Sequence, residues 1–232
     1  MRVLGTSTGL IVAAIAIFVS PQILPAQTIP SAYRFIETRQ EAGPFAGWIA
    51  SGTGQFGYGP GPGPISGARY ELGFGGPVSL EGVVGVIDSA RNIVDPRRVE
   101  GNRVIGETPV TMATADLRLK LSVTGPRTWH RLNPFVLVGA GLAWDLAEDS
   151  ELEEDLEETD RFDFGTSFVA VIGGGLRWFA TERVILRTDG LFYLWRLEAP
   201  AGFRDPDRGF ENVGQSEWAN ARSVTLGVGY RF

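Results

Sequence analysis

The stretch Arg222-Ser-Val-Thr-Leu-Gly-Val-Gly-Tyr-Arg-Phe232 alternates without interruption. Val224, Leu226, Val228, Tyr230 and Phe232 fall on one parity; Ser223, Thr225, Gly227, Gly229 and Arg231 fall on the other. A period of two is that of a β-strand with two unlike faces. One face is apolar and ends in aromatics. The other is small and polar, and carries a charge. A strand of this kind separates an oily environment from a polar one.

Seven earlier segments carry the same alternation. The first runs roughly from Phe45 to Ser51 and the second from Gly67 to Phe74, where Ala68, Tyr70, Leu72 and Phe74 oppose Arg69, Glu71 and Gly73. In the third, Val78 to Asp88, Val78, Leu80, Val84 and Val86 oppose Ser79, Glu81, Val83 and Gly85. The fourth, Val110 to Val123, sets Ala113, Ala115, Leu117, Leu119 and Leu121 against Thr114, Asp116, Arg118, Lys120 and Ser122. The fifth is Pro134 to Asp145, the sixth Gly165 to Phe179 and the seventh Val184 to Leu197, with Arg177, Arg187 and Asp189 on the polar parity. At ~3.3 Å per residue and a tilt near 45°, segments of about ten residues cover an apolar band ~25 Å tall. Eight antiparallel strands of this length predict an all-β, up-and-down transmembrane barrel.

The charges decide which face is wet. Arg69, Glu71, Glu81, Asp116, Arg118, Lys120, Arg177, Arg187, Asp189 and Arg231 share the polar parity with glycines and other small residues. That parity makes a poor soluble surface but suits the crowded lumen of an eight-stranded barrel. On a lipid-facing surface a mid-depth Arg would cost about 2–4 kcal/mol. Buried inside, each charge must be paired, because removing one partner costs about 3–5 kcal/mol. These ten residues are therefore expected to form a lumen ion-pair network. Trp144, Trp178, Tyr70, Phe74, Tyr230 and Phe232 are candidates for aromatic girdles at the membrane interfaces, while Trp195 falls on the lumen parity and reads as packing. The alternative, a soluble barrel, would turn the apolar parity inward around a ligand.

The connections alternate in length. Gly75 to Pro77, Thr124 to Asn133 and Ala180 to Arg183 are shorter; Thr53 to Ser66, Ser89 to Pro109, Ala147 to Phe162 and Glu198 to Glu217 are long. Short periplasmic turns and longer outer loops are the pattern of outer-membrane barrels. The N-terminus reads as a secretory signal: Arg2, an apolar run from Leu10 to Val19, then Pro21 and Pro25. Cleavage is placed after Ala26. The expected organisation is a signal peptide over 1–26, a periplasmic segment over 27–42 and a barrel over 43–232. Within the middle segment, Ser31 to Ala42 reads either as a short helix, N-capped by Ser31 and ended by Gly43, or as a tail without fixed structure.

The last strand resembles the terminal strand and assembly signal of Gram-negative outer-membrane β-barrels. The runs Pro134-Phe-Val-Leu-Val-Gly-Ala-Gly141 and Gly173-Gly-Gly-Leu-Arg-Trp-Phe-Ala-Thr-Glu-Arg183 look like small barrels of the OmpA/OmpX type. The resemblance implies insertion by the barrel-assembly machinery, with Val228, Tyr230 and Phe232 as its recognition signal. It also implies outer-membrane lipids and lipopolysaccharide as surroundings.

Composition narrows the functions. There is no Cys among the 232 residues, so disulfides and thiolate metal sites are excluded. A net charge of −6 argues against nucleic acid as a partner. His130 is the only histidine; it falls in a predicted short turn, without partners for acid–base or metal chemistry, and reads as a surface turn residue. Lipid-modifying barrel enzymes resemble this fold but use a Ser and His near the outer leaflet, where this sequence has no His. The acidic run from Glu148 to Asp160 reads as a solvated, self-repelling outer loop rather than a specific cation site. Asp95-Pro-Arg97 and Asp205-Pro-Asp-Arg208 read as turns. The expectation is a monomeric, non-enzymatic outer-membrane barrel with a closed polar lumen, no cofactor and a structural or surface-interaction role. The alternatives are a narrow pore for small solutes, a lipid-modifying enzyme and a loop-mediated adhesin.

Overall fold

The computed structural model describes residues 31–37, 39–146 and 150–232. The predicted signal segment, residues 1–26, lies outside the described residues, as do Ala147 and the first two residues of the acidic run, Glu148 and Asp149. Ten strands form: β1 (Tyr33–Phe35), β2 (Gln40–Ser51), β3 (Gly63–Gly73), β4 (Val78–Val94), β5 (Val104–Ser122), β6 (Arg127–Trp129), β7 (Leu132–Asp145), β8 (Thr166–Phe179), β9 (Val184–Glu198) and β10 (Ser216–Arg231). Eight of them, in the order β2-β3-β4-β5-β7-β8-β9-β10, pair antiparallel with their neighbours, and β10 pairs back onto β2 to close the barrel. An eight-stranded up-and-down barrel is the predicted fold, and closure leaves none of its eight wall strands with a free edge.

The faces separate as the alternation demands. Leu117 is 61% exposed and Leu226 68%, whereas Arg118 between leucines is 3% exposed and Thr225 is 2%. The apolar parity is therefore the exterior. Val84, Val136, Val138, Ile172, Phe192 and Val224 continue the exposed belt around the wall. The girdle candidates Tyr70, Phe74, Trp178, Tyr230 and Phe232 lie on this exterior toward the short turns.

Three expectations are corrected. The described residues of 31–42 are not helical. Tyr33–Phe35 pairs with β6, Phe35 lies under the Arg127 guanidinium (4.5 Å), and β2 begins at Gln40. Edge pairing of three residues rich in aromatics replaces a helix too short to be stable alone. The long loop expected from Ser89 to Pro109 is mostly hairpin: β4 continues to Val94 and β5 starts at Val104. The lumen, finally, is polar only toward the short turns. Toward the long loops it fills with Ile49, Ile65, Ile87, Met112, Trp195 and Ala221, all buried.

The third correction reflects an exchange of side-chain chemistry between the two faces of single strands, whose inward and outward parity runs unbroken. In β4, Val84 and Val86 face outward below Asp88, which is exposed, while Ile87 is buried. In β5, Glu107 is exposed and Val110 and Met112 are buried, yet two turns of the pleat lower Leu117 is exposed and Asp116 buried. In β10, Trp218, Asn220 and Arg222 face out above the apolar row that starts at Val224. The wall is thus oily outside below this level and oily inside above it.

His130 and Arg131 form the two-residue turn between β6 and β7, with Trp129 opposite Leu132. Both have positive φ, 49° and 67°. A two-residue hairpin turn with both central residues left-handed matches the twist of the flanking strands. His130 is exposed, and its backbone N–H donates to the Ala32 carbonyl at 2.9 Å.

Candidate functional site

Two layers fill the barrel from the short turns to the long loops. The lower one is ionic. Period-two spacing brings Arg118 and Lys120 of β5, Glu81 of β4, Arg69 and Glu71 of β3, Arg177 of β8, and Arg187 and Asp189 of β9 to the same interior. Arg187 donates to both carboxylate oxygens of Glu81, with Nη2 to Oε1 at 3.1 Å, and reaches Asp189 at 2.7 Å. Asp189 also accepts from Arg69 at 2.6 Å. Arg118 pairs with Asp116 (Nη2 to Oδ2 3.0 Å), lies 3.6 Å from Glu81 and donates to the Tyr193 hydroxyl at 3.3 Å. Lys120, wholly buried, donates to Glu71 and stands 4.0 Å from Glu81. Arg177 contacts Glu71 at 3.1 Å and Glu41 at 3.4 Å, and donates to the Asn133 side-chain oxygen at 2.6 Å. Arg231 stands at the short-turn mouth, donating to the Glu182 carbonyl at 3.3 Å and lying 5.1 Å from the Phe179 ring.

Most of these are charge-assisted bonds between side chains of different strands and join separate parts of the wall; Arg118–Asp116 and Arg187–Asp189 lie within single strands and orient the guanidinium. Aromatic rings complete the fill. The Phe135 ring sits under Arg187 (4.5 Å) and Lys120 (5.0 Å). Gly175 makes room for it, since a Cβ there would lie 2.7 Å from the Phe135 ring. Glu41 was not among the sequence-predicted members. Its parity is that of Phe45, so extending the first strand backward through Gly43 would have found it.

The upper layer is an aromatic cap built by the long-loop residues 52–62, 150–165 and 199–215. Tyr58 stacks on Phe162 (4.5 Å) and meets Phe203 (5.3 Å); Phe56 touches Phe203 (5.1 Å) and Phe210 (5.4 Å). This cluster is continuous with Trp195, Leu197 and the buried top of the lumen. Burial, helped by the neighbouring Glu217 carboxylate that accepts the Tyr58 hydroxyl at 3.2 Å, pushes the Tyr58 phenol well above its usual range.

The described part of the acidic run is solvated along most of its length, as expected, but is anchored at Glu153, Glu157 and Asp160. Asp160 is 1% exposed; Arg208 reaches it at 2.6 Å and Arg97 at 3.7 Å. The same two arginines contact Glu157 at 3.3 and 3.6 Å. Arg91 pairs with Glu153 at 2.7 Å, and Arg161 donates to the carbonyls of Leu156 and Glu154, both at 3.1 Å. Three arginines thus pair with Glu153, Glu157 and Asp160 of the run, and a fourth ties its backbone. Arg97 and Arg208 come from the two Asp-Pro turns. In each, the Asp side chain accepts from the backbone N–H two residues on, at 3.0 Å. The repeated motif is therefore more than a turn: it aims one guanidinium from each side at Asp160. Gly202 lets the clamp close, since a Cβ there would lie 1.8 Å from the Asp160 carboxylate.

His130 lies in the β6–β7 turn at the opposite end from the cap. The arrangement ties strands together in the lower lumen and packs aromatic side chains across the upper one.

The comparisons bear on the fold. Outer membrane protein OprG from Pseudomonas aeruginosa superimposes with a TM-score of 0.54 at 11% identity, over 84% of this chain and 97% of that one. This is the fold of an outer-membrane barrel. The N-terminal β-barrel domain of Pseudomonas aeruginosa OprF (TM-score 0.46, 13% identity, 84% of this chain and 98% of that one) and Neisserial surface protein A (0.44, 12%, 87% and 98%) are also similar. No family model and no curated protein matches the sequence. The closed eight-stranded wall with its oily exterior places the protein in the outer membrane.

Proposed function

We propose that the protein is a non-enzymatic, non-conducting outer-membrane barrel that presents a rigid, loop-built cap at the cell surface. The short turns face the periplasm and the long loops face outward. The observation that carries this reading is the double filling of the lumen, by a buried ion-pair network below and an aromatic layer above. A solute path would require both to open. The work of such a protein is structural or surface-interactive, performed by the cap and the outer wall. The outward row of β10, with Val228, Tyr230 and Phe232, is the segment offered to the barrel-assembly machinery. Outer-membrane lipids and lipopolysaccharide are its surroundings, and it acts as a monomer.

Two measurements test the proposal together. The folded barrel in detergent should migrate differently before and after boiling, as closed barrels resistant to the detergent do. Planar bilayers containing it should show no discrete conductance steps. Steady steps from the wild type that disappear on Asp116→Ala or Arg118→Ala would replace this reading with the narrow pore.

A further inference from the structure

At the short-turn mouth, the segment between β1 and β2 passes below the ion-pair network. It is fastened on both sides. The Ile36 N–H donates to the Pro126 carbonyl at 2.9 Å, and the Gly73 N–H donates to the Arg39 carbonyl at 2.7 Å. Two recesses of about 450 and 520 Å³ share Phe35, Ile36, Glu37 and Arg231 as lining, so the segment stands between them. The smaller recess reaches the lowest members of the network. Its lining includes Glu41, Glu71, Ser79, Ser122 and Arg177, each 7% exposed or less.

The charges of this recess balance. Among its described residues are three arginines, Arg39, Arg177 and Arg231, and three glutamates, Glu37, Glu41 and Glu71. The deep ones are committed to one another. Arg177 contacts Glu71 and Glu41 and donates to Ser122 Oγ at 3.2 Å, while Lys120 donates to Glu71 from within the lumen. An ion entering here would have to break one of these pairs and strand a buried charge. What is left over is hydrogen-bonding capacity without net charge. The Ser79 hydroxyl, on a residue 5% exposed, has no hydrogen-bond partner among the described residues, and neither has the Arg39 guanidinium at the entrance. The paired carboxylates can each accept more than one hydrogen bond.

Ile36, Pro77, Val78 and Pro126 give the same recess an apolar wall. A balanced polar floor facing an apolar wall suits a ring that is hydroxylated around its edge and carries C–H groups on its faces. Hydroxyls both donate and accept, so they can bond to Arg39, Ser79 and the spare carboxylate lone pairs without displacing an ion pair. The volume, about 450 Å³, falls within the roughly 300–1,000 Å³ that holds small ligands. We propose that this recess is a binding site for a neutral sugar of one or two rings, with Arg39 and Ser79 bonding its hydroxyls and Ile36 and Pro77 against its C–H face. The inference goes beyond the surface role proposed above. It depends on that reading only for the side of entry, which is the periplasm.

The test uses the full barrel, isotope-labelled, in dodecylphosphocholine micelles, a detergent without a sugar headgroup. Glucose, sucrose, glycine, acetate and inorganic phosphate are titrated in turn at constant ionic strength, and the amide resonances of Ile36, Glu41, Gly76 and Ser79 are followed. In wild type, glucose or sucrose should move these resonances saturably in the millimolar range, and the three ionic probes should not. Ser79→Ala should weaken the sugar about fivefold and Arg39→Gln about tenfold, the sizes of a neutral and a charge-assisted hydrogen bond. Neither side chain bonds to the wall, so both variants should fold. Arg183→Gln, in the β8–β9 turn outside the recess, should bind as wild type does. No saturable response to either sugar overturns the site. So does a stronger response to glycine, acetate or phosphate, which would make it an ion site, or sugar binding unchanged in both recess variants. Each sample is also run boiled and unboiled. A heat shift without a sugar response sinks the recess site alone; loss of the heat shift in wild type sinks the membrane barrel itself.

Discussion

Arg187 on β9 grips both oxygens of Glu81 on β4, a strand on the far side of the wall, and does so where neither side chain is more than 1% exposed. Removing either partner leaves a charge stranded in a filled interior. Arg187→Met should cost about 3–5 kcal/mol in urea unfolding from lipid vesicles. The double change Arg187→Met/Glu81→Leu should recover part of that loss, because replacing both ions with apolar groups restores packing without an unpaired charge. A double variant no more stable than Arg187→Met would show that the pair is not coupled in this way.

The cap should open on a single methyl group. Gly202→Ala would put a Cβ against the Asp160 carboxylate and push it from Arg208. The barrel below should remain, since its strands do not depend on that contact. The expected result is an unchanged heat shift with at least tenfold faster protease cleavage in residues 150–165. Cleavage at the wild-type rate would mean the clamp does not hold the loop.

Acid should loosen the same clamp. Partial burial works against the Asp95 charge, but the Arg97 guanidinium and backbone N–H that bond to it hold its carboxyl below the usual aspartate range. A lowered folded-state value contributes stability that is fully present above the unfolded aspartate value, about 3.9, and is lost as pH falls through the folded one. Hydrogen exchange in residues 95–103, corrected for intrinsic rates, should therefore rise below about pH 4. Asp95→Asn should show raised exchange already at neutral pH and little further change with acid. A wild-type profile flat to pH 2.5 would contradict this.

The β6–β7 turn is built with two residues poorly suited to it. His130 and Arg131 both adopt positive φ. His130→Asn with Arg131→Gly supplies the pair that such turns favour and should raise stability by about 1 kcal/mol. A lower urea midpoint would show that the His130 ring against Trp129, 4.9 Å away, contributes more than the backbone relief.

What the sequence disclosed depended on contrast between faces. Leu117, Leu119 and Leu121 against Arg118 and Lys120 are unmistakable, so strand, parity and interior charges follow directly. Glu41 escaped because Ala42, Gly43 and Pro44 beside it carry little contrast. The upper parts of β4 and β5 escaped for a different reason. Ser89, Ala90, Arg91 and Asn92 read as loop chemistry, while Ile87, Ile93, Val110 and Met112 continue the alternation on the opposite parity. The clamp on Asp160 joins three loops and has no local signature. Its one trace was the repeated Asp-Pro turn, which shows where a guanidinium starts but not what it reaches.

The exchange of oily and wet faces near Asp88 and Arg222 also acts as a vertical stop. Sinking the barrel by one pleat would drag Asp88 and Arg222 into the acyl chains. Raising it would bare Val86 and Val224 to water. Thinning or thickening the bilayer should then bend the lipid around the protein rather than slide the protein through it.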